Sequence, residues 1–407
     1  MTILQIILLI IIVEFIVNKT VGYLNLKHEL KPINTILSDK FSYSKRKRSH
    51  YYHLVNYRVS AYSSMVALIV VAAMFLFAGF GSTDYAVRQC FENAIVVGLV
   101  FMVIILLGGT ILELPWNIYD VFYIESRFGF NKQSFSSFIL DKIKGGMLAL
   151  VFGGAIFGVV SWIYYSFPSD FWWMAWVVIT AFSLFLTMFY SSLIVPMFNK
   201  QTPLEDGELR NKIEMLAQKV GFRLQNIFVI DGSKRSTKAN AYFTGLGAKK
   251  RIVLYDTLIK QLSVDEVVAV LAHEVGHYKK KHVVWNLLLS IFQTGLVLFV
   301  FHLVLSFEVI YTSLGAVTPS FHLGLLVFSF LFSPVSSILG VFTNYLSRQF
   351  EYQADAFASD LGFVKELQFA LIELSDLNLS NINPHPLFVF LNYSHPPIND
   401  RLRLLQS

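Results

Sequence analysis

Seven stretches of the chain are apolar over about 20 positions, the length needed to cross roughly 30 Å of hydrocarbon. They are Ile3–Leu24, Tyr62–Phe80, Ala94–Leu112, Met147–Tyr165, Phe171–Val195, Val283–Phe307 and Phe321–Leu346. Between them lie polar stretches too long to be turns, Lys27–Arg58 with Glu113–Gly146 on one hand and Pro196–His282 with Ser347–Ser407 on the other. In the second pair the pattern changes period. Apolar residues recur at helical spacing over Glu208–Val220, while Asn226–Asp231 and Arg251–Asp256 are short Ile, Val, Phe and Tyr runs that predict strands. Ser263-Val264-Asp265-Glu266 is a capping box, and the helix it opens is expected to run through Val267–His282 into the sixth span. A further helix over Asn344–Leu361 continues the seventh. No internal repeat or low-complexity tract interrupts this plan.

Composition agrees with the pattern: 55% of the 407 residues are hydrophobic and 15% charged, and the mean hydropathy is +0.56. A soluble enzyme is excluded on that basis. The N-terminus has no basic segment or small-residue cleavage site, so Ile3–Leu24 reads as a retained span. Glu14 inside it is costly in lipid and is expected to face protein or water.

Charge then sets the orientation, because Lys and Arg of short loops stay in the cytoplasm. With the N-terminus outside, the external pieces are 1–2, 81–93, 166–170 and 308–320, and of 33 Lys and Arg only Arg88 lies in them. The net charge of +6, including Lys45-Arg46-Lys47-Arg48, therefore reads as topology and attraction to anionic lipid, not as a nucleic-acid footprint. Cys90 is the single cysteine, which excludes a disulfide framework and a thiolate metal cluster.

The candidate chemistry sits on the capped helix. In His273-Glu274-Val275-Gly276-His277 the two histidines are four residues apart, share one helix face and can bind one Zn²⁺. Glu274 is then placed to take a proton from a water activated by the metal. Zinc that keeps an open position needs a third protein ligand. The metzincin spacing fails, since Lys280 and Val283 stand where Gly and His would be required and His282 falls one residue early. Glu351-Tyr352-Gln353-Ala354-Asp355 offers two carboxylates at i and i+4, Glu351 as ligand and Asp355 behind a zinc histidine to orient it, with an acidic surface pair as the alternative.

These motifs, with FYIESRFGFNKQ at 122–133, GSKRSTKANAYFTGLGAKKRIVLYD at 232–256, SRQFEYQADAF at 347–357 and YSHPPINDRL at 393–402, stand in one order over nearly the whole chain. In that register the sequence resembles the CAAX prenyl protease 1 family, membrane zinc metallopeptidases of the a-factor-converting type. The resemblance implies a mainly α-helical integral membrane protein. Seven transmembrane helices would enclose a water-filled chamber, with a zincin-like cytoplasmic catalytic domain that carries a small β element. It implies one zinc on His273, His277 and Glu351, and Glu274 as general base. It adds Asn240 as a holder of substrate backbone, the strand around Ile252–Tyr255 as the edge on which a peptide is laid, His395 as a donor to the developing oxyanion, and Arg401 as a holder of His395 or of substrate.

The expected division is 1–195 for five spans and two cytoplasmic loops, 196–282 for the segment with the zinc histidines, 283–346 for spans six and seven, and 347–407 for the segment with the third ligand. Expected partners are the lipid bilayer and a peptide or protein substrate, prenylated at a C-terminal CaaX motif if the family activity transfers, and no nucleic acid. The tail Leu404-Leu405-Gln406-Ser407 shows no retrieval signal, which favours a bacterial inner membrane over the endoplasmic reticulum. General turnover of membrane-associated polypeptides is the competing activity. Glu274 argues against an inactive scaffold, which needs no base, and the lack of inverted repeats argues against a transporter.

Overall fold

The computed structural model describes residues 1–33, 35–221, 227–244, 251–316 and 318–406. Asn226, the segment 245–250 and Ser407, which fall within stretches singled out above, lie outside the described residues. Seven helices among the described residues are long and apolar enough to span a membrane: Ile3–Glu29, Tyr43–Leu76, Ala94–Phe128, Phe135–Ser166, Phe171–Phe198, His282–Leu305 and Phe321–Asp360. Each contains one of the expected apolar stretches, in whole or nearly so. Several run well past the apolar part. The second begins at Tyr43 rather than Tyr62, which carries it roughly 28 Å beyond the expected membrane edge, and the seventh continues some 20 Å past Leu346. Hydropathy marks where a helix is in oil, whereas the helix itself goes on as long as neighbours pack against it.

The polybasic segment falls on one such extension. Arg46 donates to the carbonyls of Glu29 at 2.8 Å and Lys31 at 2.6 Å, Arg48 donates to that of Phe128 at 3.1 Å, and Lys45 pairs with Asp376. Three of the four cations therefore tie helix ends together, a use that charge counting along the chain does not reveal. On the opposite side Gly79–Arg88 is a short helix where a loop was expected. Arg88 is spent there on the buried Asp84 at 2.8 Å, which also meets His322 at 2.7 Å.

A four-stranded sheet holds the catalytic half, with β1 (Gln201–Pro203), β2 (Ile227–Ile230), β3 (Ala241–Thr244) and β4 (Arg251–Tyr255) in the spatial order β1-β2-β4-β3. β4 pairs in parallel with β2 and antiparallel with β3. This corrects the expected edge. Ile252, Val253 and Leu254 are buried and form the continuous apolar run of an interior strand, and among the described residues the edge strand beside β4 is β3.

The helix Val264–Lys279 carries both histidines and opens with the expected capping box. Its apolar face, with Val268, Leu271 and Ala272, packs on Leu254, Leu258 and Leu367 in one core. Its other face meets the seventh helix so closely that a Cβ on Gly276 would stand 3.1 Å from the Ala354 backbone and 3.2 Å from Phe357 Cβ. Glycine inside the motif thus lets the two ligand-bearing helices touch. The helix does not continue into the sixth span as expected. Lys281 takes a left-handed conformation, φ +60°, and a separate helix starts at His282.

Candidate metal centre

Residues 273 and 277 lie one turn apart, and Glu351 faces them across the Gly276 contact. One ligand atom from each of His273, His277 and Glu351 lies within 4.8 Å of the others. His273 Nε2 stands 3.1 Å from His277 Nε2 and 3.5 Å from Glu351 Oε2, and His277 Nε2 is 3.3 Å from Glu351 Oε1. The donor set of two imidazoles and one carboxylate is the one zinc prefers with a position left open.

A test of fit comes from the carboxylate. Glu351 Oε2 is shut off from solvent and accepts no hydrogen bond, although His395 Nδ1 lies 3.0 Å away and Arg401 Nη1 3.5 Å. Buried acceptors are almost always satisfied, so an orphan carboxylate oxygen between two imidazoles fits a site for a cation. Behind the triad His273 Nδ1 donates to Asp355 Oδ1 at 2.8 Å, which turns Nε2 towards the other ligands.

Arg401 stands behind the triad, against Asp355. It is buried, and its guanidinium forks onto Asp355, Nε to Oδ2 at 2.8 Å and Nη2 to Oδ1 at 2.6 Å. It therefore braces the carboxylate that braces His273, while Nη1 stands 3.5 Å from Glu351 Oε2 and the residue lines the cavity beside His395. His395 lies at the rim with its side chain 67% exposed, as a group that meets substrate should be. Asn240 immediately precedes β3. Its carbonyl accepts from Tyr255 N–H at 3.1 Å, and its side chain accepts from Ala241 N–H at 2.8 Å. It makes no contact with the triad. Instead it lines a cavity of about 900 Å³ with Asn25, Tyr52, Asn56 and Tyr393. A neighbouring cavity of about 320 Å³ shares Tyr393 and Asn381 and reaches His395 and Arg401.

Some polar groups carried no signal in the sequence. Lys238, on the wall of the larger cavity, pairs with Glu125 at 3.1 Å and with Tyr52 Oη at 3.1 Å. His50 and His53 both meet the buried Glu29, at 3.1 and 2.7 Å. Their partners lie on another helix, where spacing along the chain cannot show them.

Electrostatics follow from burial. Burial pushes the Glu274 carboxyl above its ordinary value and Glu351 adds to this, while His273 and His277 pull it back. For His273 burial disfavours the charged ring, but the hydrogen bond to Asp355 and the adjacent Glu351 carboxylate outweigh it and raise the group to about 9. The metal-free ring is thus protonated at neutral pH, and ligation must expel that proton. Zinc affinity measured by chelator competition is expected to rise about tenfold per unit between pH 7 and 8.5 and to flatten above about 9. A pH-independent affinity over that range would contradict the proton count.

Comparisons with known proteins cover both halves of the chain. Residues 22–200 match the family described as CAAX prenyl protease N-terminal, five membrane helices, and residues 203–407 match peptidase family M48. The chain is 41% identical to the CAAX prenyl protease 1 homolog of Arabidopsis thaliana over 321 residues, covering 78% of this chain and 75% of the relative. It is 40% identical to CAAX prenyl protease 1 of Saccharomyces cerevisiae over 335 residues, covering 78% and 74%. The crystal structure of S. mikatae Ste24p superposes with a TM-score of 0.93 at 34% identity, covering 100% of this chain and 99% of that one. With matches over both halves and a shared fold throughout, the chain belongs to the CAAX prenyl protease 1 group of peptidase family M48, the membrane-embedded zinc metallopeptidases.

Proposed function

We propose that this chain holds one zinc on His273, His277 and Glu351 and hydrolyses a peptide bond close to the prenylated C-terminus of its substrate. The observation that carries the proposal is the buried triad with its orphan carboxylate oxygen. Bound there, zinc supplies a Lewis acid for the scissile carbonyl and acidifies water. Glu274, one residue from a ligand and raised by burial, accepts a proton at its carboxylate and returns it to the leaving amine. His395, at the rim 3.0 Å from Glu351, donates to the negative charge that develops on the carbonyl oxygen. Asp355 and Arg401 keep His273 in the ligating tautomer. Asn240 and the outer edge of β3 line the approach for an extended peptide.

Relatives at 34 to 41% identity carry the name CAAX prenyl protease 1, which supports the prenylated substrate class. The test is mass spectrometry of products from a farnesylated CaaX peptide, its unprenylated twin and a plain hydrophobic peptide. The proposal expects release of a tripeptide from the first, at least about tenfold faster than any cut in the others, a margin of about 1.4 kcal/mol. Equal cleavage of all three would replace prenyl specificity by general turnover of membrane-associated peptides. Cleavage of none would overturn the proposal.

The site is proposed to face the cytoplasm, on the charge asymmetry of the loops. In a Cys90→Ser background, Thr318→Cys is expected to react with an impermeant thiol reagent on intact cells and Asp206→Cys to resist it. Both positions are exposed. The opposite labelling would reverse the orientation.

A further inference from the structure

The break at Lys281 sets the first residue of the sixth span directly beneath the zinc helix. His282 is 2% exposed, and its ring lies flat on Phe350, centroids 4.2 Å apart and planes 13° apart. Its Nδ1 is 3.0 Å from His277 Nδ1, and its Nε2 is 3.0 Å from Gln353 Oε1. The other nitrogen of His277, Nε2, is the one that faces His273 and Glu351.

Two ring nitrogens at 3.0 Å need one donor and one acceptor. An amide oxygen only accepts, so His282 Nε2 carries its proton and donates to Gln353. His282 Nδ1 is then a lone pair and accepts from His277 Nδ1–H. That leaves the lone pair of His277 on Nε2, pointed at the triad. We infer that His282, aimed by Gln353 and clamped by Phe350, is a positioning residue that fixes the tautomer and ring orientation of His277. The inference rests on the reading of His277 as a zinc ligand.

The two zinc histidines are therefore braced differently. His273 leans on a carboxylate that Arg401 holds, whereas His277 leans on a neutral imidazole and amide relay. A neutral partner raises ligand basicity less than a carboxylate does, so the His277 arm is the looser of the two.

The test follows zinc loss to a chelator in the full-length purified protein, with the melting temperature of the metal-free form as a folding control. His282→Phe keeps the ring and its stack on Phe350 but removes the acceptor. It is expected to lose zinc about 10–100-fold faster than wild type at an unchanged melting temperature, and to shift the visible spectrum of the cobalt-substituted protein. Gln353→Leu is expected to fall between the two, and Gln353→Glu, a stronger acceptor, to retain zinc at least as well as wild type. Zinc loss at the wild-type rate in His282→Phe would overturn the inference. So would equal loss from the two Gln353 variants, and that contrast decides if His282→Phe does not fold. A wild-type chain that binds no zinc, or zinc fully retained in His277→Ala, would instead remove the ligand set and this inference with it.

Discussion

Replacing Glu274 by Gln is expected to lower kcat/KM by about 10²–10⁴, which is about 3 to 5.5 kcal/mol of transition-state stabilisation, with zinc content unchanged. The substitution keeps shape and volume, and Glu274 is not among the ligand-forming groups, so metal and fold should survive. What the amide lacks is the ability to hold a proton between water and the leaving amine. Burial already sets the carboxyl above its ordinary value, which makes it a better base than an exposed glutamate. His395→Ala, assayed in the same series, should cost about 10²-fold in kcat with KM nearly unchanged, because its side chain is mostly exposed and its proposed part in the reaction is to meet the developing charge. Loss of zinc from the Glu274 variant would break the division of labour, and near-wild-type turnover would remove the base altogether.

Glu351→Gln is expected to abolish activity by another route, weakening zinc at least about 100-fold. The carboxylate is the one anion among the three ligands, and it also faces His395 and Arg401. An amide oxygen would leave the buried Arg401 with Asp355 alone to balance it and would coordinate zinc only weakly. Asp355→Asn should do less, about 10–100-fold, since it removes the brace behind His273 and leaves all three ligands present. Stoichiometric zinc in Glu351→Gln after brief chelator treatment would take Glu351 out of the set.

Much of this was legible along the chain, for identifiable reasons. Apolar runs of about 20 residues locate the spans because oil tolerates little else, and HExxH declares itself because both histidines lie on one helix face. The carboxylate pair at 351 and 355 was visible by the same periodicity. Hidden features depend on contacts between distant segments. Nothing in Lys280-Lys281 announces a left-handed residue, so the turn that brings His282 under His277 could not be read, and His282 was passed over for missing the metzincin spacing. Arg401 looks like a solvated charge near a C-terminus until the seventh helix places Asp355 against it. Ile252–Tyr255 and the hidden β3 show the same limit for the sheet, because pairing order is a property of the fold and not of either strand.

The central claim is that one zinc sits on His273, His277 and Glu351. An anomalous difference map at the zinc edge, from crystals of the wild-type chain, measures it directly. The account predicts a single peak per chain, about 2.0–2.2 Å from His273 Nε2, His277 Nε2 and a Glu351 oxygen. A peak held by His282 or His395 in place of Glu351, or an active protein with no peak at this site, would contradict it.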